Sequence, residues 1–473
     1  MTTIEAPQSG LFISPLTEFD QLLLEHPELT AADVEPILAH IDVEIPGLIC
    51  YPEEVTNKLA IPLKHPFMVP SSEATEGFSY KQQQFYWDSY FSATKLLMLY
   101  GDKYYDVIIG MLENSVDMFN QYGVIPNSSL YPRLTRSQPP LLTSYIFEVY
   151  DTYKDTHEEL NQEWLSSKIE VAKQEYNTVW KGVEDPHNRM VFRGLSRYYD
   201  IEVTDKPIQA ESGWDYSPRF EGRAQDFLPV DLQAFRFKYA MDFAREAGMR
   251  GDEREMNEWL DEANYIKDTV NELMYDPEKG VFHDYNYVKG EWGKVDSLAS
   301  YVTMWAGMVE PHSEQADQMV RALKLFKCAG GLCVTEGLLE TDLPEDADEL
   351  DPLQWKRPNT WSPLTILTAD GLEICGYPEE AEDIALHSLA AKIYWFNTHK
   401  NEKTGKREIL EAYNGVDPTQ FPFRGVYPRQ RGFGWTDAEI AYFSTKYVHR
   451  RHLPAAMMRG AVLMDPQTDP SLN

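Results

Sequence analysis

Apolar residues recur at helical spacing over most of this chain. From about Asp88 they fall at i, i+3, i+4 and i+7. The period predicts helices over 89–99, 105–122, 141–156, 157–180, 229–247, 252–274, 297–308, 312–325, 362–371, 379–397 and 437–447. Ser297 and Ser362 are suitable helix caps, and Gly or Pro follows several expected ends. Evidence for strands is thin and confined to short pieces such as 280–287. Helix pairs joined by alternating short and long, aromatic-rich loops describe an all-α toroid of inner and outer helices. In such a ring the long loops gather on one face, and chemistry belongs there. Residues 1–60 are acidic and punctuated by proline, with amphipathic stretches near 18–26 and 31–40. They read as an N-terminal arm packed on a catalytic domain spanning 61–473. No low-complexity linker interrupts 88–447.

Charge and composition narrow the function classes. The net charge of −33 argues against nucleic acid or an anionic membrane as partner, since phosphate would be repelled. It suits a protein kept soluble in a concentrated cytoplasm. No Lys or Arg precedes Lys58, so neither a secretory signal nor an Arg-rich transit peptide is expected. No apolar run approaches the ~20 residues of a membrane span. Cys50, Cys328, Cys333 and Cys375 lack zinc or CxxC spacing and read as buried thiols of a cytoplasmic protein. With 11 Trp and 28 Tyr, the chain has rings to spare for stacking on the C–H face of a sugar. A small-molecule carbohydrate is therefore the expected partner, with no cofactor and no metal.

Four loop segments share a polar, aromatic, Gly/Pro-rich composition, each ending against a helix. The first runs from Gln84 through Tyr86, Trp87, Asp88, Ser89 and Tyr90 to Phe91. The second joins Ile125-Pro126-Asn127 to Arg136-Ser137-Gln138-Pro139-Pro140. The third is Glu211-Ser212-Gly213-Trp214-Asp215, which makes a poor helix and a good rigid loop holding an acid beside a ring. The fourth combines Gln354-Trp355, Asn359-Thr360-Trp361, Glu411-Ala412-Tyr413 and Tyr427-Pro428 to Trp435-Thr436. Asn, Gln and Arg bond hydroxyls, Trp and Tyr stack, and carboxylates move protons. Taken singly, Asp88 is equally an ordinary helix N-cap.

In order, these segments resemble the trehalases of glycoside hydrolase family 37 from about Tyr86 to Thr436. Tyr86 to Phe91 is similar to the family's YWDSYF, Ile125–Asn127 with Arg136–Pro140 to IPN…RSQPP, and Glu211–Asp215 to ESGWD. Gln354–Trp361 resembles QWDAPNGW, and Tyr427–Thr436 resembles YPLQDGFGWT. The resemblance implies an (α/α)6 barrel that hydrolyses an α-glucosidic bond with inversion. It makes Asp215 the general acid and Glu411, in a stretch similar to VEKY, the general base. Trp87, Asp88, Asn127, Arg136, Gln138 and Trp355 would hold the glucose, with Tyr86, Trp214, Gln354, Asn359, Tyr427 and Trp435 completing the candidate site. An inverting pair stands roughly 6.5–9.5 Å apart, leaving room for a water, and well-separated loops suit that gap. Burial beside Trp214 is expected to keep Asp215 protonated near neutral pH.

The departures from the family pattern are systematic. Tyr80-Lys81 stand where trehalases carry the Arg-Phe of PGGRF, and the PRPES element is missing between Arg197-Tyr198-Tyr199-Asp200 and Glu211. Val426 replaces the acid before Tyr427-Pro428, and Lys356 replaces the Asp of QWDAPN. The retained residues surround the glucose being cleaved, whereas the altered ones fall where the leaving group would be covered. Trehalose is thus one candidate substrate, and glucosylglycerol or glucosylglycerate, as compatible solutes, are rivals. Lys81 and Lys356 suit an acidic aglycone, or are surface lysines. A non-catalytic sugar-binding barrel predicts loss of one carboxylate, yet both are present. An epimerase on the same ring would need paired histidines, and none of the eleven lies in these motifs.

Overall fold

The computed structural model describes residues 29–71, 79–337, 354–401, 404–422 and 430–450. The first helices are α1 (Ala31–Leu48), α2 (Tyr86–Phe91), α3 (Tyr105–Tyr122), α4 (Leu142–Tyr153), α5 (Gln162–Glu175) and α6 (Asp205–Ser212). They are followed by α7 (Val230–Met249), α8 (Glu253–Met274), α9 (Val302–Ala306), α10 (Glu314–Ala322), α11 (Ser362–Ile374), α12 (Pro378–Thr398) and α13 (Gly434–Phe443).

Burial sorts these helices into two rings. α2, α4, α7, α9, α11 and α13 are buried along most of their length, whereas α3, α5, α8 and α10 bury one face. In α8 that face is Ala263, Ile266, Thr269, Val270 and Met274, the spacing of an amphipathic helix. The Asp252 side chain caps α8 by accepting from the Glu255 N–H at 3.0 Å, and Ser313 caps α10 through the Ala316 N–H at 3.1 Å. The inner set closes on itself. α2 runs into a wide helical turn, Ser92–Leu96, that packs on α4; α4 meets α7, α7 meets α9, α9 meets α11 and α11 meets α13. α13 then returns to Ser92–Leu96. The fold is the expected all-α (α/α)6 toroid. α1, from the expected arm, packs on α12 and α13, and its Val34, Ile37, Ile41, Ile45 and Leu48 belong to the common core.

A buried ion network ties the inner ring together. Lys95 stands 3.5 Å from Glu148 of α4 and 3.4 Å from Asp370 of α11. Tyr90 of α2 donates to Glu148, and Tyr442 of α13 donates to Asp370 at 2.8 Å. Removing one member of such a set leaves an uncompensated buried charge, so four helices are held in one relative arrangement.

Some expectations shift. Residues 280–287 form two short strands, Val281–Phe282 and Tyr285–Asn286, which pair with different neighbours. Asp88 is the third residue of α2, whose cap position is Phe85. Helix α6 was not expected, and it makes Glu211 and Ser212 helical rather than loop. Pro207 sits in its first turn, where a missing N–H costs nothing, and Gly213 ends it at φ 76°. The stretch near 18–26 lies outside the described residues. Among the described residues, no helix is long and apolar enough to cross a membrane.

Candidate active site

Five indole rings from four segments of the chain meet at one end of the inner ring, with Trp355 at their centre. It stacks on Trp361 (3.9 Å between centroids, 8° between planes) and on Trp214 (5.4 Å, 28°). Trp87 and Trp435 approach it at 6.0 and 6.4 Å and meet each other edge-on at 5.9 Å. Trp87 comes from the first turn of α2 and Trp435 from the first turn of α13, while Trp214 follows α6. The cluster therefore links the segments that carry the two candidate carboxylates.

Asp215 directly follows Trp214. Burial pushes its carboxyl up from the ordinary 3.8 to about 6, against the opposing pull of Arg136 and Arg133. The loop holding it is anchored from several sides. Ser217 accepts from the Arg219 N–H at 3.2 Å and its hydroxyl donates to the Trp355 carbonyl at 3.4 Å. The Arg219 guanidinium covers Trp214 at 4.7 Å and is fully paired beneath it, to Asp231 at 2.7 Å and Asp284 at 2.6 Å. Gly213 must be glycine for two reasons. Its φ is +76°, and a Cβ there would stand 2.7 Å from the Trp87 ring.

Glu411 is reached from the other side of the cluster. Its carbonyl accepts from Trp435 Nε1 at 3.0 Å and from the Thr436 hydroxyl at 3.2 Å, and its N–H donates to the Gln430 carbonyl at 3.2 Å. Two residues later, Tyr413 pairs with Thr360 in a short antiparallel ladder. The backbone of Glu411 is thus fixed between the Trp355–Trp361 loop and the start of α13.

Most of the expected polar residues lie near Asp215 or against the indole cluster. Asp88, Asn127 and Arg136 are each 7% exposed and Glu411 6%, whereas Asp200 and Glu211, which support them, are sealed at 0%. Arg136 is oriented by Asp200 at 3.0 Å. Asn127 is held by its N–H to the Arg136 carbonyl at 3.1 Å and by its side-chain amide to the Ala210 carbonyl at 3.2 Å. Gln138 accepts from the Trp87 N–H at 3.1 Å. Asp88 is pushed up to about 8, first by burial and then by the nearby Asp215, so it is neutral at pH 7 and able to donate a hydrogen bond.

Other expected site residues serve differently. Tyr86 points away: its hydroxyl lies 3.1 Å from Glu175 and 3.0 Å from the Tyr239 hydroxyl in the core. Consecutive helix residues project about 100° apart, so a helix that turns Trp87 toward the indole cluster sends Tyr86 elsewhere. Trp214, covered by Trp355 and Arg219, backs the aromatic wall. The Gln354 carbonyl accepts from Asn359 Nδ2 at 2.9 Å and Trp361 Nε1 at 3.1 Å, which makes this pair a brace for the loop. Lys81 is exposed and Lys356 half-buried. Tyr427 and Val426 lie outside the described residues. Among the described residues, no group of three His, Cys, Asp or Glu is placed to hold a metal ion.

Sequence reasoning missed several members. Trp361 closes the segment that begins at Gln354, and its stacking partner Trp355 was the available signal. Glu211 accepts from the Ser137 and Tyr199 N–H groups, both at 2.6 Å, and pairs with the buried Arg189. It pins three loops at once, and nothing in a linear pattern marks Arg189 as its partner.

A family model described as trehalase matches residues 51–209 and 200–447. Neutral trehalase from Saccharomyces cerevisiae has a similar structure, with a TM-score of 0.68 at 24% identity over 84% of this chain and 76% of that one. A GH63 mannosylglycerate hydrolase from Thermus thermophilus in complex with glucose matches with a TM-score of 0.56 at 18% identity, covering 80% of this chain and 95% of that one. In complex with Tris and D-glycerate the corresponding values are 0.58, 17%, 86% and 100%.

Proposed function

The chain belongs to the trehalase family and is a glycoside hydrolase, and from that premise we propose that it cleaves the α-glucosidic bond of a small glucoside or disaccharide with inversion, releasing glucose. Asp215 is the general acid: its proton passes to the glycosidic oxygen as the C–O bond breaks. Glu411 is the general base: it takes a proton from the water that attacks the anomeric carbon on the opposite face. The products are β-glucose and the aglycone alcohol, and proton exchange with solvent resets the two carboxyls. Asp88, Asn127, Arg136 and Gln138 bind the glucose hydroxyls, and the indole cluster with Trp355 at its centre shapes the wall.

The observation that carries this reading is Asp215 itself, a carboxyl raised to about 6 on a loop tied through Trp214 and Trp355 to the indole cluster that also fixes the Glu411 backbone. A sugar-binding barrel without catalysis would be free to lose one of the two carboxyls, and this chain keeps both. Trehalose or a related osmolyte glucoside is the substrate; the altered residues around the leaving group favour glucosylglycerol or glucosylglycerate as the alternative to trehalose. Assays on trehalose, glucosylglycerol, glucosylglycerate, kojibiose and maltose test the reading, together with Asp215→Asn and Glu411→Gln. Each substitution should lower kcat by about 10²–10⁴-fold. Near-wild-type turnover in either variant would remove that residue from its role.

A further inference from the structure

Among the described residues no carboxylate pairs with Arg133, a cation within charge-interaction range of the candidate acid. Arg133 ends the short turn Tyr131–Arg133 on the loop between Asn127 and Arg136. That turn is fixed at both ends: the Arg133 N–H donates to the Leu130 carbonyl at 2.9 Å, and the Arg136 N–H donates to the Arg133 carbonyl at 3.3 Å. The guanidinium is half-buried within charge-interaction range of Asp215, Asp200, Arg136 and Tyr80. Burial and the like charge of Arg136 depress its pKa, so the site holds this cation at a cost.

Its carboxylate neighbour Asp200 is already engaged by other groups. Asp200 is engaged by Arg136 at 3.0 Å and by the Thr135 hydroxyl at 3.0 Å. Arg189, Arg219, Arg245 and Arg250 all form ion pairs. Arg133 forms neither a hydrogen bond nor an ion pair through its side chain with any described residue. With 76 acidic residues against 43 basic ones, this chain does not lack carboxylates to pair with it. Asp215 cannot be its permanent partner, because a general acid must enter each turnover protonated. Glucose carries no charge, so an anion that pairs with Arg133 would arrive on the leaving group, which lies on the side of the acid that protonates it.

We infer that Arg133 belongs to the aglycone subsite and recognises a carboxylate close to the scissile oxygen, making a glucoside of a small hydroxy acid the preferred substrate. A planar guanidinium matches a carboxylate through two parallel hydrogen bonds, which a neutral polyol cannot reproduce. The inference rests on the α-glucosidase reading above.

The test compares kcat/KM for glucosylglycerate and glucosylglycerol, which differ by a carboxylate in place of a hydroxymethyl group. Wild-type enzyme should prefer glucosylglycerate by about tenfold or more. Arg133→Gln should abolish most of that ratio, and Arg133→Lys should retain part of it. The ratio is internal to each protein, so partial misfolding does not imitate the effect. Independently of any variant, D-glycerate should inhibit the wild-type enzyme competitively at concentrations where glycerol does not. Cleavage of glucosylglycerol or trehalose with equal or greater efficiency, or a ratio unmoved by Arg133→Gln, would overturn the carboxylate assignment while leaving the glucosidase reading intact. Failure to cleave any α-glucoside in the panel would overturn both.

Discussion

Asp215 combines two effects of opposite sign, and its pH behaviour follows from their balance. Burial raises its pKa to about 6, while Arg136 and Arg133 hold it below where burial alone would leave it. A general acid works only while protonated, so kcat/KM should fall as pH rises through about 6, read as the alkaline limb of the pH–rate profile. Arg133→Gln removes one of the restraining charges and should move that limb to higher pH. The same shift enters stability. Between 3.8 and about 6 the native state holds more protons on Asp215 than the unfolded chain does, so stability falls as pH rises through that window. Asp88, pushed to about 8, extends the decline to higher pH. Asp215→Asn removes the buried anion and should raise stability at pH 7 by ~1–3 kcal/mol while abolishing turnover. Thermal unfolding of the two proteins checks this, and a lower Tm for the variant would contradict it.

At the scale of elements, the short helix α6 and the glycine behind it decide where the acid points. Gly213→Ala would place a methyl against Trp87 and force a left-handed backbone onto a residue with a side chain. It should cost ~1–3 kcal/mol and lower kcat more than it raises KM, as measured by calorimetry and steady-state kinetics. Glu211, near the end of α6, joins the Ser137 loop, the Tyr199 loop and Arg189. Glu211→Ala should therefore destabilise the protein by ~3–5 kcal/mol, because Arg189 is left charged and buried; an unchanged Tm would show that the pin is dispensable. This helix was the element least legible in the sequence. Its 8 residues include a proline and only a few apolar positions, too short a run for a 3.6-residue period to stand out. α3 and α8, with long amphipathic faces, were read to within a residue or two. Trp87 lies in the indole cluster and Asp88 near Asp215, whereas the Tyr86 hydroxyl bonds into the core, because motif membership carries no information about which way a helix turns each side chain.

For the whole molecule, the toroid was legible because its helices alternate between fully buried and half-buried and its long loops concentrate aromatic and polar residues. The ion network of Lys95, Glu148 and Asp370 was not, because buried charges interrupt the apolar pattern and their partners are distant in sequence. Closure of the ring has a functional consequence. It brings residues near 87, 136, 215, 355 and 411 to one end, so that the two proposed catalytic carboxyls come from different loops that share one indole cluster. That arrangement leads to the central claim, that Asp215 and Glu411 act on opposite faces of the same anomeric carbon. Proton NMR of the reaction on whichever α-glucoside of the panel is cleaved tests it directly, by following the first glucose anomer to appear before mutarotation. The account predicts β-glucose first, with the α-anomer growing only as the solution equilibrates. Initial release of α-glucose would contradict it.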